Sequence, residues 1–215
     1  MYDMIIVDLD GTLTDSGPGI KNSVRYALDK YKVEVAEERL DSFIGPPLVD
    51  SFMRECSFER EKALEAVQVY REYFTAKGMF ENSVYGQMEE TLKALKAAGK
   101  TVMVATAKPE VFARQILEHF NLMQYFDFIG GALLDETRTN KKEVLRYVIE
   151  ANDIDVTKTL MVGDRQDDAG AALGENIDIL GVLYGYGTIE ELENAGVKNF
   201  VNSPAEIKDF VLSQQ

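Results

Sequence analysis

Asp8 and Asp10 stand two residues apart at the end of a short apolar run, Met4-Ile5-Ile6-Val7, and Gly11 follows them. If the chain is still extended there, the two carboxylates project to the same side, and the glycine permits a sharp turn away. Two acids held side by side repel, so one resists ionisation unless a cation lies between them. Hard oxygen ligands of this kind suit magnesium, which takes one or two carboxylates together with water and substrate phosphate. A lone Asp-x-Asp-Gly serves equally well as a plain turn. The rest of the chain has to decide between the two.

The elements that must position these acids are legible in the hydrophobic pattern. Short β-rich runs occur at Met4–Val7, Thr101–Ala105, Phe126–Ile129, Thr159–Val162 and Ile179–Tyr184, with a weaker one at Asn199–Val201. Helical stretches alternate with them. Met88, Leu92 and Leu95 form a stripe closed by Gly99, and Pro109 opens a helix carrying Val111, Ile116, Leu117 and Phe120. Val144, Leu145, Val148 and Ile149 mark another, while Thr188 and Ser203 each precede a glutamate three residues on, a helix-start pattern. Strands alternating with helices predict an α/β fold, a Rossmann-like parallel sheet sandwiched by helices. Residues 16–84 break that rhythm: helical patterns at Ile20–Tyr31, Glu37–Phe43, Val49–Arg54 and Phe58–Lys77, and no strand. About 70 residues is too long for a crossover. The expected organisation is an α/β core from residues 1–15 and 85–215, with an inserted α-helical subdomain at 16–84.

In open parallel sheets, ligands bind at the carboxyl ends of the strands. After the expected strands come Asp8-Leu9-Asp10-Gly11-Thr12, then Thr106-Ala107-Lys108, then a loop ending in Lys141, then Gly163-Asp164-Arg165-Gln166-Asp167-Asp168. Acids, a hydroxyl and lysines gather on one rim. Asp164 adds a carboxylate; of Asp167 and Asp168, one can cap the next helix while the other steadies a metal shell. The Thr106 hydroxyl and the free N–H groups near the following helix start can hold phosphate oxygens. Lys108 can do the same or sit on the rim. Helix phase separates Lys141 from Lys142. Advancing about 100° per residue from Val144, the apolar stripe centres near ~70°, with Lys141 at about 60° and Lys142 at about 160°. Lys141 therefore faces inward and needs a phosphate or carboxylate partner, while Lys142 is a surface charge. His119, the only histidine, falls in the last turn of its helix, where a cation suits the dipole. A histidine-based mechanism is not expected.

Composition limits the partners. Hydrophobic residues make up 46% and charged residues 28%, as in a globular protein, and 23 basic against 37 acidic residues give a net charge of −14. Such a surface repels nucleic-acid phosphates and anionic membranes, so neither is an expected partner. An anionic small-molecule substrate would need a metal and a few lysines to reverse the local field. No apolar run approaches the roughly 18 residues of a spanning helix, and no secretory pattern stands at the start. Cys56, the single cysteine, can form no internal disulfide. A cytoplasmic location is expected, and the oligomeric state is open, a monomer being compatible with it.

These residues resemble the four motifs of the haloacid dehalogenase superfamily, in order and over essentially the whole chain. Asp8-Leu9-Asp10-Gly11-Thr12 resembles the nucleophile motif, Thr106 the phosphate-binding threonine, Lys141 the lysine motif, and Gly163-Asp164-Arg165-Gln166-Asp167-Asp168 the acidic motif. Within the superfamily the chain is most similar to phosphoglycolate-phosphatase-like members. That likeness rests on Phe43-Ile44-Gly45-Pro46-Pro47-Leu48 and on Gly181-Val182-Leu183-Tyr184-Gly185-Tyr186-Gly187.

The resemblance implies a magnesium-dependent phosphatase acting on a small phosphomonoester through an aspartyl-phosphate on Asp8. Asp10 would protonate the leaving oxygen and then activate the hydrolytic water, with Thr106 and Lys141 on the phosphoryl oxygens. Asp8, the Asp10 carbonyl, Asp164 and Asp168 would hold the metal, and Gly11, Ala107 and Lys108 would join the phosphate cradle. The inserted helices would act as a cap, with Gly45-Pro46-Pro47 over the leaving group. Two departures are Ala107, where relatives often carry serine or asparagine, and Lys142, where many carry proline. A sugar-phosphate mutase would use the same acids, and a phosphorylatable receiver a similar set without Asp10. The leaving group stays open: phosphoglycolate, nucleoside monophosphates, pyrophosphate and small sugar phosphates are all compatible.

Overall fold

The computed structural model describes residues 1–135 and 137–213. The chain forms two compact units, one from Met1–Thr14 and Val84–Gln215, the other from Asp15–Ser83. Strand β1 (Met4–Val7) is a nearly continuous apolar run with Ile5 and Ile6 fully covered, as a strand buried on both faces requires. The chain leaves the first unit through β2 (Thr14–Asp15).

The second unit is helical. α1 (Gly17–Tyr31) has Pro18 in its first turn and stops where Lys32 turns left-handed. A 3₁₀ helix at Glu37–Phe43 leads to α2 (Leu48–Cys56) and α3 (Arg60–Ala76). Val24, Ala27, Phe43, Phe52, Ala63, Val67 and Tyr70 form its dry core. Phe43 meets Phe52 edge-on at 5.1 Å, and Tyr31 meets Phe58 edge-on at 5.4 Å.

The chain returns through β3 (Ser83–Val84) to the first unit. There α4 (Met88–Ala97), β4 (Thr101–Pro109), α5 (Glu110–His119), β5 (Phe128–Ala132) and α6 (Lys141–Asn152) follow in turn. They are succeeded by β6 (Thr159–Gly163), α7 (Gln166–Gly174), β7 (Asp178–Val182), α8 (Ile189–Asn194), β8 (Asn199–Val201) and α9 (Pro204–Leu212). Six strands pair in the order β5-β4-β1-β6-β7-β8, all parallel. This is the expected α/β, Rossmann-like architecture. The strand order reverses at β1, and Val7 lies opposite both Val104 and Val162. Asp8 therefore leaves the sheet between the ends of β4 and β6, at the switch point where open α/β sheets bind ligands.

β3 is a two-residue strand inside the stretch expected to hold none, too short to leave an alternating pattern, and strand ends differ from expectation most at β4, β5 and β7. β4 runs on to Pro109, with a register shift between Thr106 and Pro109. β5 starts two residues late, at Phe128, and continues through Gly130 and Gly131. A glycine pair carries no apolar signal, yet a Cβ on Gly130 would meet a Val148 methyl at 2.4 Å, so α6 packs directly on this bare strand. β7 ends at Val182, leaving Leu183 and Tyr184 beyond it. Among the described residues, no helix is long and apolar enough to cross a membrane.

Candidate active site

Lys141 is where the polar residues of the sheet rim meet. It occupies the first position of α6, behind an Asn140 cap that accepts from the Glu143 N–H at 3.1 Å while the Glu143 carboxylate accepts in return. A lysine at the positive end of a helix is locally unfavourable, so something stronger must hold it there. Its Nζ lies 2.5 Å from Asp8 Oδ1 and 2.7 Å from Asp168 Oδ1, and it donates to the Ala105 carbonyl at 2.9 Å. Burial pulls the Lys141 pKa down, but Asp168 and Asp8 more than reverse that and hold it above the ordinary lysine value. Lys142 is exposed, as the helix phase requires.

The acids are less well served. Burial pushes the pKa of Asp8 up to about 7; Lys141 opposes this, but Asp168 and Asp10 push the same way. Asp164, fully covered, is pushed up to about 8 by burial and then by Asp168 and Asp8. One oxygen from each of Asp8, Asp164 and Asp168 lies within 4.8 Å of the others. Three carboxylates and one ammonium leave two formal negative charges in a buried space. That deficit and an all-oxygen donor set fit a hard divalent cation.

Local folding fixes each acid. Gly11 has φ +84°, and a Cβ there would stand 2.2 Å from Asp164 Oδ2, so only glycine lets the turn after Asp10 close on Asp164. Asp164 accepts from the Thr12 hydroxyl at 3.3 Å and from the Tyr186 N–H at 2.8 Å. The Tyr184 hydroxyl donates to the Thr12 carbonyl at 3.0 Å. Thr12 and the Tyr184–Tyr186 stretch, motif members with no role expected from the sequence, are thus the supports of Asp164. A backbone donor leaves no side-chain signature; the glycines around Tyr186 were the available signal. Asp168 performs both tasks divided above between two residues. It accepts from the Arg165 N–H at 3.1 Å, capping α7, and it stands in the acid cluster, while Asp167 is exposed.

The remaining candidates form a second group. Asp10 is 9% exposed, and its Oδ2 lies 3.1 Å from Lys108 Nζ. The Lys108 N–H donates to Thr106 Oγ1 at 3.2 Å. Ala107 is half-buried and its methyl side chain adds no polar atom to the rim. His119 is exposed at the end of α5, with its ring against Phe120.

The family model described as haloacid dehalogenase-like hydrolase matches residues 5–182. The chain is 43% identical to a 5′-nucleotidase of Pseudomonas aeruginosa over 89% of its own length and 87% of the relative's. It is 29% identical to a phosphoglycolate phosphatase of Vibrio vulnificus, covering 97% and 96%. A tyrosine-protein kinase, PtkA of Mycobacterium tuberculosis, is 38% identical over 88% of this chain, which spans only 65% of that protein. Among solved structures, "a predicted phosphatase from Clostridium acetobutylicum" superposes with a TM-score of 0.96 at 47% identity, covering 99% of both chains. The chain belongs to the haloacid dehalogenase-like hydrolases, among their phosphatases.

Proposed function

We propose that the chain is a magnesium-dependent phosphatase that hydrolyses a small phosphomonoester through an aspartyl-phosphate on Asp8. The observation that carries this reading is the trio Asp8, Asp164 and Asp168, gathered within 4.8 Å of one another, with Lys141 on Asp8 and Asp168. Asp8, Asp164 and Asp168, with the Asp10 carbonyl, would hold magnesium, which supplies charge neutralisation between an anionic nucleophile and an anionic ester. Asp8 attacks phosphorus in line, and Lys141 releases its grip on the carboxylate to follow the phosphoryl oxygens as charge builds there. Thr106 and the N–H groups at the start of α5 take the other oxygens. Asp10 gives a proton to the departing oxygen, then takes one from the water that cleaves phospho-Asp8.

Nucleoside 5′-monophosphates are the first substrates to test, because the relative named 5′-nucleotidase is more similar than the one named phosphoglycolate phosphatase. The experiment is a phosphate-release screen over nucleoside monophosphates, phosphoglycolate and small sugar phosphates, with and without magnesium. Magnesium-dependent release from at least one, abolished by Asp8→Asn, is the expected result. Full activity in that variant would overturn the nucleophile assignment.

A further inference from the structure

Lys108 and Asp10 form an ion pair that the acid cluster does not require. Both side chains are about as covered as those of the cluster, at 6% and 10% exposure, and their charged atoms lie 3.1 Å apart. A lysine is rarely buried on a strand end without a specific partner. Two features aim this one. The register of β4 shifts between Thr106 and Pro109, and such irregularities redirect side chains at sheet rims. The Thr106 hydroxyl then accepts the Lys108 N–H, pinning the backbone from which the lysine stem departs.

The pairing is selective at the level of single oxygens. Lys108 Nζ lies against Asp10 Oδ2, while Asp10 Oδ1 is buried and, among the described residues, accepts no hydrogen bond. An unmatched buried carboxylate oxygen costs free energy unless something arrives to use it. Asp8 and Asp10 therefore have separate cations, Lys141 for one and Lys108 for the other.

We propose that Lys108 is a positioning residue for Asp10: it fixes one carboxylate oxygen and so presents Oδ1 to the proton that must move. The assignment rests on the phosphatase reading above. In the first step the Asp8–phosphorus bond forms as the bond from phosphorus to the leaving oxygen breaks. That oxygen takes the bonding pair and the proton from Asp10 Oδ1. In the second step a water oxygen bonds to phosphorus as the Asp8–phosphorus bond breaks and the water proton passes to the same Oδ1, giving inorganic phosphate, the Asp8 carboxylate and an Asp10 carboxyl protonated as it was at the start.

The test exploits the leaving group. A p-nitrophenolate departs without a proton, whereas an alkoxide such as that from glycerol phosphate needs one. Comparing kcat/KM isolates the steps up to the first phosphoryl transfer, so slow hydrolysis of phospho-Asp8 does not blur the result. With magnesium present, Lys108→Met should lower kcat/KM for glycerol phosphate by about 10²-fold or more, the scale of general-acid catalysis, and for p-nitrophenyl phosphate by less than ~10-fold. Lys108→Arg, which keeps a cation, should recover most of the difference. In an Asp10→Asn background, adding Lys108→Met should change either rate by no more than about twofold, because residues acting as a unit are not additive. That double variant removes both buried charges and keeps a readout if Lys108→Met alone folds poorly. Equal losses on both esters with weaker inhibition by inorganic phosphate would make Lys108 a phosphate ligand and overturn the proposal. So would an unchanged Lys108→Met, or a further full loss in the Asp10→Asn background. Failure of the wild-type chain to release phosphate from either ester would instead sink the phosphatase reading, and the assignment with it.

Discussion

Glu55 in the helical unit and Asp8 in the α/β unit are both carboxylates with side chains less than a tenth exposed, yet their surroundings treat them oppositely. Glu55 lies 2.6 Å from Arg39 Nη2 and 2.7 Å from Arg54 Nε, two cations for one acid. Burial pushes its pKa up, but hydrogen bonds from Arg54, Ser42 and Arg39 outweigh that and hold it below the ordinary value. Asp8 shares one lysine with Asp168, beside Asp164, and its pKa is pushed up to about 7. A covered charge with surplus counter-ions is a structural clip. A covered charge in deficit destabilises the empty fold, and a chain retains it only where something binds or reacts. Apart from Glu55 and the Asn82 carboxamide, the buried polar side chains among the described residues of the helical unit are the hydroxyls of Ser16, Ser23 and Ser51, whereas the α/β unit buries four aspartates and three lysines.

The sharpest way to break this contrast is Asp8→Asn. On the proposed mechanism it should lower kcat by about 10⁴-fold or more, the scale seen when a nucleophile is removed. It should also raise the melting temperature of the metal-free protein, because one unmatched charge has gone. Phosphate release and thermal unfolding on the same sample check both; a variant that loses activity and stability together would mean that Asp8 is structural. Next in size is Lys141→Ala, expected to cost about 10²–10³-fold in kcat and to destabilise, since Asp8 and Asp168 lose the cation paired with both of them. Lys142→Ala should stay within about 0.5 kcal/mol in stability, with near-normal turnover. Similar losses from the two would remove the basis for an inward Lys141.

The separation of Lys141 from Lys142 was readable in the sequence because α6 has a strong apolar stripe that sets its phase. The choice between Asp167 and Asp168 was not, because α7 buries only alanines beside Asp168 and so has no comparable stripe. The sheet was legible because its central strands are apolar throughout. The far ends of β4 and β5 were hidden by a register shift and a glycine pair, both decided by packing across the sheet. For the same reason the direction of Lys108 could not be read. The supports of Asp164 are a hydroxyl inside a recognised motif and a backbone N–H 22 residues away, and the latter has no signature in residue types.

Metal should act on one side of the contrast only. Asp8 and Asp164 have folded pKa values raised to about 7 and about 8 from an ordinary 3.8. The fold binds their protons more tightly than the unfolded chain does. Their stabilising contribution is therefore present in acid and is lost as pH rises through those values. Magnesium competes with those protons, so its stabilising effect should grow from pH 6 to pH 8. At about 100 times its Kd it would add ~2.7 kcal/mol, a melting shift of about 5–10 °C for a chain of this size. Melting curves at both pH values, with magnesium and with chelator, check this; a shift independent of pH would place the ion away from these carboxylates.

The smallest expected effect is at Glu55, and its sign should be opposite. Its lowered pKa means that the folded state holds the charged form more firmly than the unfolded state does. That stability is present at neutral pH and lost as pH falls through the folded pKa. Glu55→Gln should therefore cost about 1 kcal/mol or less at pH 7, because Arg39 and Arg54 are 54% and 50% exposed and stay hydrated without it. Once the pH has fallen through that lowered folded pKa and the wild-type acid is itself neutralised, the two melting curves should converge. Turnover with magnesium should be unchanged at every pH. If Glu55→Gln instead altered the magnesium dependence, surplus counter-ions would no longer distinguish a clip from a site.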